Sequence, residues 1–229
     1  MRLAVLFSGG KDSVFACYKV MEKHDIVCLI SIVSSNQDSY MFHTPNINLA
    51  KYQADAVNIP LITHKTEGEK EIELEDLKKA VENAKEKFAI EGIVTGALKS
   101  EYQASRIQKI CDDLSLECIN PLWNMDQEEE MREVIKLGFK FIITKVAAYG
   151  LDKSWLGRVI TNEDVDKLME INKKIGINVA FEGGEAETLM IDGPIFKSKL
   201  EIKKANTVME NEFTGVYNIE EVEVVEKDL

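Results

Sequence analysis

An apolar run from Leu3 to Phe7 ends directly on Ser8-Gly9-Gly10-Lys11-Asp12-Ser13, and apolar side chains then follow at Val14, Phe15, Tyr18 and Met21. The spacing predicts a buried strand, a glycine turn and an amphipathic helix. Such a junction is how many proteins build a phosphate site, because the first turn of a helix presents unsatisfied N–H groups and the positive end of its dipole. Two adjacent glycines let that backbone approach an anion closely. Lys11 adds positive charge. Asp12 is out of place in a site for phosphate alone, but it suits one that holds magnesium pyrophosphate.

Two common phosphate-binding signatures fail letter by letter. A Walker A loop needs a glycine where this chain has Val5 and a Ser or Thr where it has Asp12. The dinucleotide pattern G-x-G-x-x-G is absent as well. What remains resembles the PP-loop, S-G-G-x-D-S, of the N-type ATP pyrophosphatases. That resemblance implies cleavage of ATP between its α- and β-phosphates, with AMP passed to an oxygen of the substrate. A ligand-free turn is the plain alternative, and six specified letters at a strand–helix junction favour the phosphate site.

The first half of the chain alternates. Strand-like runs fall near 2–7, 26–33, 60–64, 92–95 and 117–119, with helical patterns near 12–23, 47–58, 73–90 and 100–114. Leu74, Leu77, Val81, Ala84 and Phe88 make one stripe, and Ser100-x-x-Gln103 has the form of a capping box. Strands separated by helices imply a parallel sheet, whose ligands bind at the carboxyl ends of the strands. Ser8–Ser13, Ser31–Ser35 and Thr95–Ser100 all follow strand ends. The rhythm changes after Pro121-Leu122-Trp123. Helices near 126–137 and 163–174 flank a strand at Phe139–Val146, and short strand-like runs follow at Asn178–Phe181, Thr188–Ile191, Lys199–Ile202 and Val222–Val225. The expected fold class is α/β: an open parallel-sheet PP-loop domain over 1–124 and a smaller α/β C-terminal domain over 125–229.

Composition narrows the partners. The formal charge is −12, from 28 basic and 40 acidic residues. Affinity for nucleic acid comes largely from Lys and Arg, so an extended phosphate backbone is a poor partner and a cationic acceptor a better one. No apolar run reaches the roughly 20 residues that span a bilayer, and Met1-Arg2-Leu3 leads straight into a strand, so a cytoplasmic protein without a membrane partner is expected. Four cysteines, Cys17, Cys28, Cys111 and Cys118, form neither C-x-x-C nor a zinc spacing, and they read as thiols of the interior. His24, His43 and His64 carry no catalytic signature.

The second unusual stretch is Glu182-Gly183-Gly184-Glu185-Ala186-Glu187-Thr188-Leu189, with three carboxylates around two glycines. Solvated turn charges explain it as readily as a site does. Taken with the PP-loop, with Gly96-Ala97-Leu98-Lys99-Ser100-Glu101-Tyr102-Gln103 and Arg106, with Pro121-Leu122-Trp123 and with Asp152-Lys153-Ser154-Trp155-Leu156-Gly157-Arg158, it resembles the diphthine–ammonia ligase family over nearly the whole chain. Many relatives carry an aromatic residue where this chain has Ala186.

The resemblance implies an adenine nucleotide α-hydrolase-like ATP-binding domain and an acceptor-binding C-terminal domain, as a single unit without the further C-terminal domains of some eukaryotic relatives. It implies amidation of diphthine, a modified histidine of translation elongation factor 2. ATP activates the carboxylate as an acyl-adenylate, and ammonia displaces AMP. ATP and Mg²⁺ are the implied cofactors. Ser8, Gly9, Gly10 and Ser13 would cradle phosphates, Lys11 would stabilise departing pyrophosphate, and Asp12 would hold Mg²⁺. Ser31 to Ser35 and Thr95 to Ala97, Gly96 included, would line the nucleoside. Lys99 and Arg106 would neutralise α-phosphate or else sit in surface ion pairs. Glu182, Glu185 and Glu187, with Tyr102 or Trp155, would hold the trimethylammonium group of diphthine, or one glutamate would deprotonate ammonium. With no glutaminase arrangement in the chain, free ammonium is the expected nitrogen source. A homodimer is compatible with the sequence, which does not fix the oligomeric state. Two other readings stay open: a PP-loop enzyme acting on another acceptor, such as a tRNA base or a small carboxylate, and a non-catalytic ATP-binding sensor.

Overall fold

The computed structural model describes residues 1–34, 46–67 and 72–227. Ser35 and His43 lie outside them. The chain divides into two compact units, residues 1–8 with 12–123 and residues 9–11 with 124–229.

The first unit holds β1 (Arg2–Leu6), α1 (Lys11–Met21, its first residue grouped with the second unit), β2 (Asp25–Ser34), a short 3-10 turn (Ile47–Leu49), α2 (Ala50–Val57), β3 (Leu61–Thr66), α3 (Ile72–Phe88), β4 (Gly92–Val94), α4 (Glu101–Asp113) and β5 (Glu117–Ile119). All pairings are parallel, in the order β3-β2-β1-β4-β5. Central β1 sets Val5 opposite Leu29 on one side and Val94 on the other. Residues Leu3 to Val5 have no exposed surface, as an apolar strand between two neighbours requires. Leu77, Ala80, Val81 and Ala84 of α3 pack with Ile107, Ile110 and Cys111 of α4 against Ala4, Ile30, Ile62 and Ile93 of the sheet. Leu77, Val81 and Ala84 belong to the stripe that the helical spacing predicts and Phe88 packs against the cluster, whereas Ala80 joins it and Leu74 does not. Ser100 caps α4, its hydroxyl accepting from Gln103 N at 3.3 Å.

The second unit contains α5 (Gln127–Lys136), β6 (Lys140–Ala147), α6 (Asn162–Ile175), β7 (Ala186–Asp192), β8 (Ser198–Asn211) and β9 (Thr214–Glu226). Its sheet is antiparallel, in the order β7-β6-β9-β8. Strand β9 reaches β6 only at Lys145 to Ala147. The segment Trp155–Ile160 bonds to the β6 edge nearer its start: Gly157 N donates to Ile143 O at 3.0 Å and Ile160 N to Phe141 O at 3.1 Å.

Two expectations are corrected here. Asn178–Phe181 is a turn and not a strand. Its backbone is held by local side chains, and Phe181 takes a left-handed φ of +68°, which no strand tolerates. The short runs Lys199–Ile202 and Val222–Val225 belong to one long hairpin whose register runs from Ser198 opposite Glu226 to Asn211 opposite Thr214. Among the described residues no helix is long and apolar enough to cross a membrane.

Candidate functional site

Strand order in the first unit reverses between β1 and β4, and ligands of open parallel sheets bind at the carboxyl ends flanking such a reversal. The turn that follows β1 and the loop that follows β4 both lie there. Gly96 comes so close to the start of α1 that a Cβ on it would stand 2.7 Å from Asp12 C and 2.8 Å from Ser13 N. Only glycine fits. Thr95 fixes that loop from below, its hydroxyl accepting from Ala97 N at 3.1 Å and donating to Asn120 Oδ1 at 2.5 Å. Ser8 is exposed, Ser13 is 5% exposed, and the two hydroxyls lie 3.2 Å apart.

Ser31 is 1% exposed, and its hydroxyl donates to the Phe7 carbonyl, stapling the end of β1 to β2. Lys99 is exposed, and Arg106 is half-buried with its guanidinium 3.5 Å from the centroid of the Tyr102 ring. Neither cation forms an ion pair among the described residues, and Arg106 Nε is buried without a hydrogen-bond partner there. The surface-ion-pair alternative for these two residues therefore has no support in the fold.

Gly9, Gly10 and Lys11 group with the second unit. Met190 N on β7 donates to Gly9 O at 2.9 Å, and Lys11 N donates to the Thr188 hydroxyl at 3.0 Å. Gly9 has φ +79°, a conformation glycine adopts without steric cost. The Lys11 ammonium lies 3.0 Å from each carboxylate oxygen of Glu130, and the two side chains are 1% and 0% exposed. The sequence suggests a cation directed at phosphate, whereas the structure holds it in a buried pair. Glu130 escaped notice because it lies in a run of glutamates that resembles a solvated helix face. The available signal was its position four residues before Val134 and next to Met131, both fully buried on α5.

The carboxylate-rich loop is braced by its own side chains. Glu185 accepts from Asn178 N at 2.8 Å and Gly183 N at 2.9 Å. Asn178 Oδ1 accepts from Ala180 N at 3.1 Å and Glu182 N at 3.2 Å. Gln127 Oε1, at the start of α5, accepts from Val179 N at 2.8 Å. Gly184 has φ +82°. Glu182 and Glu187 are half-buried, and Ala186 is 6% exposed opposite Val146. Glu185, one of the three glutamates expected to meet a ligand, turns its oxygens onto backbone.

Trp155 is 5% exposed and carries the Arg158 guanidinium 4.8 Å from its ring centroid, while Arg158 pairs with Asp164. Both aromatic residues expected to receive trimethylammonium, Tyr102 and Trp155, therefore have one face already taken by an arginine. Gly157 lies under Tyr217, where a Cβ would stand 2.6 Å from the ring. Asp152 accepts from Ser154 N at 2.8 Å and from its hydroxyl at 2.6 Å, and these bonds hold its carboxyl below the ordinary range. The Asp152–Arg158 segment is thus packed and capped by its own residues. A cleft of about 600 Å³ lined by Asp152, Lys153, Ser154, Met209, Asn211 and Glu212 includes none of the expected site residues.

Burial pushes the Cys17 and Cys28 thiols up to about 12, which keeps them protonated and unreactive at neutral pH. Among the described residues no group of three or more His, Cys, Asp or Glu is placed to hold a metal. Asp12 is a single half-buried carboxylate in the first turn of α1. That fits Mg²⁺, which keeps several waters and takes one or two carboxylates together with phosphate oxygens.

A five-stranded parallel sheet, a glycine turn at its order reversal and an α1 start crossed by Gly96 define an α/β protein of the PP-loop kind. The two units have separate counterparts: residues 1–118 match the diphthamide synthase N-terminal domain and residues 126–225 the diphthamide synthase C-terminal domain. The chain belongs to the diphthamide synthase family. It is 37% identical to the diphthine–ammonia ligase of Mus musculus, over 91% of this chain and 85% of that protein. Identity to the diphthine–ammonia ligase of Homo sapiens is 36%, with the same coverage. For the Saccharomyces cerevisiae enzyme identity is 30%, over 86% of this chain and 34% of that longer protein. Similarity to a solved predicted subunit of tRNA methyltransferase from Methanocaldococcus jannaschii is distant, at 16% identity and TM-score 0.41 over 85% of this chain and 100% of that one.

Proposed function

We propose that the chain is a diphthine–ammonia ligase, which adenylates the carboxylate of diphthine on translation elongation factor 2 and amidates it with ammonia. The observation that carries this reading is that both parts of the family match the chain, while β1, at the reversal of the first unit's parallel sheet, leads directly into Ser8-Gly9-Gly10-Lys11-Asp12-Ser13. A carboxylate resists direct amidation because oxide would have to leave. Transfer of AMP to a carboxylate oxygen makes AMP the leaving group instead.

In this reading the backbone of Ser8 to Ser13, with the start of α1, receives the phosphates, and the Ser8 and Ser13 hydroxyls border them. Lys99 and Arg106, neither of which forms an ion pair among the described residues, neutralise charge that builds at the α-phosphate. Asp12 would hold Mg²⁺, which supplies charge neutralisation to the pyrophosphate portion of ATP when bound. Glu182 and Glu187 serve the cationic acceptor or take a proton from ammonium. Glu185 acts on them indirectly by fixing the loop that carries Glu182.

The test is product analysis with Mg-ATP, ammonium and elongation factor 2 prepared with and without diphthine. AMP and pyrophosphate that form only with the diphthine-bearing factor are the expected result. ADP, or AMP that forms regardless of diphthine, would overturn the reading. Turnover with glutamine in place of ammonium would overturn the nitrogen source alone.

A further inference from the structure

We propose that Lys11, Glu130 and Thr188 are positioning residues forming a buried clamp on the PP-loop turn, and that the Lys11 charge is answered by Glu130 and not by phosphate. The inference rests on the reading that ATP phosphates bind at this turn. A buried ammonium and a buried carboxylate are each costly alone, and a pair this well formed, with both oxygens 3.0 Å from the nitrogen, explains why each is present. The separation of 119 residues between them makes the contact tertiary.

The backbone of the same segment is fixed at both of its ends by β7. Thr188 takes the Lys11 N–H, and Met190 gives its N–H to the Gly9 carbonyl. These are alternate residues of one strand and share a face. The threonine that closes the E-G-G-E-A-E-T run, a residue 8% exposed, thereby acts through its hydroxyl on the S-G-G-K-D-S turn. With the Lys11 ammonium held by Glu130, attraction for phosphate falls to backbone N–H groups, the α1 dipole, Lys99 and Arg106.

The clamp is tested by a double-mutant cycle on the full chain, Lys11→Met, Glu130→Met and both together, read by thermal melting and by calorimetric ATP binding. Each single change removes one half of a buried ion pair, so melting temperature and ATP affinity both fall. The double change restores melting and brings ATP affinity back to within about tenfold of wild type, because a buried ion pair exchanges well for apolar side chains of similar volume. A double variant that melts like wild type yet binds ATP as poorly as Lys11→Met would overturn the proposal and make Lys11 a phosphate ligand. Should the single variants fail to fold, Thr188 gives a second route. Thr188→Val is expected to raise the Kd for ATP about tenfold through misplacement of the turn, with Thr188→Ser close to wild type. Unchanged affinity in Thr188→Val would also overturn the clamp. If wild type itself binds no ATP, the functional reading fails, while coupling in the melting cycle still decides whether Lys11 and Glu130 form the pair.

Discussion

Gly96 has no room for a side chain, since the first atom of one would meet the backbone of Asp12 and Ser13 at 2.7 to 2.9 Å. Backbone cannot step aside as a flexible side chain can, so Gly96→Ala must move either the loop or α1. Overpacking of this kind costs about 1–3 kcal/mol. The expected outcome is a lower melting temperature together with a weakened ATP interaction, measured by calorimetry. Glu185 makes a contrasting case. Glu185→Ala leaves the backbone N–H groups of Asn178 and Gly183 without their acceptor, and a lost acceptor costs about 1–3 kcal/mol where water cannot replace it. Because Gly183 is exposed, the low end of that range is expected. Amidation should fall while ATP affinity holds, so a loss of ATP affinity in urea-stable Glu185→Ala would contradict the bracing role. At this scale the sequence reveals residue types at a turn and little about their partners. Ser8 to Ser13 are legible because their pattern is local. The direction of the Lys11 ammonium depends on a carboxylate 119 positions away, and that of the Ser31 hydroxyl on a carbonyl 24 positions away. The arginine over Tyr102 follows four positions later on α4, a spacing that could have been read from the sequence.

Elements with a hydrophobic period of their own are legible almost to their ends. Helix α3 is expected at 73–90 and runs from Ile72 to Phe88, and β5 is expected and found at 117–119. Strands β8 and β9 are not, because only Leu200 and Gly215 in them are buried and their stability comes from cross-strand partners. Lys203 pairs with Glu223 at 3.0 Å, and Lys204 pairs with Glu220, so charges that look like loop composition form a ladder. Asn178–Phe181 fails in the opposite sense: an apolar run whose backbone N–H groups are claimed by Asn178 and Gln127 cannot also enter a sheet.

Helix α6 shows how one element can couple to pH. Asp164 closes a capping box with Thr161 and meets Arg158 and Lys167. Burial pushes its carboxyl up, but the Thr161 N–H and the Lys167 and Arg158 cations outweigh burial and hold it below the ordinary value of 3.8. A depressed carboxylate contributes stability above its unfolded value and loses it as pH falls through the folded one. The urea midpoint of wild type should therefore exceed that of Asp164→Asn at neutral pH, and the gap should shrink below about pH 4. A gap that widened on acidification would contradict the pairing.

For the molecule as a whole, the charge of −12 and the two family domains point the same way. An acidic chain gains little from counterion release on RNA, and it suits an acceptor that carries a fixed positive charge beside its carboxylate. No local pattern in the sequence marks the grouping of residues 9–11 with the second unit, because their backbone partners lie on β7. Within the second unit, Gly9 and Lys11 bond to the strand in which the E-G-G-E-A-E-T run ends.

In the proposed reaction a carboxylate oxygen of the acceptor attacks the α-phosphorus of ATP and later leaves with AMP. The most direct measurement uses diphthine-bearing elongation factor 2 whose acceptor carboxylate carries heavy oxygen, turned over with Mg-ATP and ammonium. Mass spectrometry of the nucleotide should find a single heavy oxygen in AMP and none in pyrophosphate. Label in a phosphate other than that of AMP, or unlabelled AMP beside an amidated acceptor, would show that the carboxylate is not adenylated.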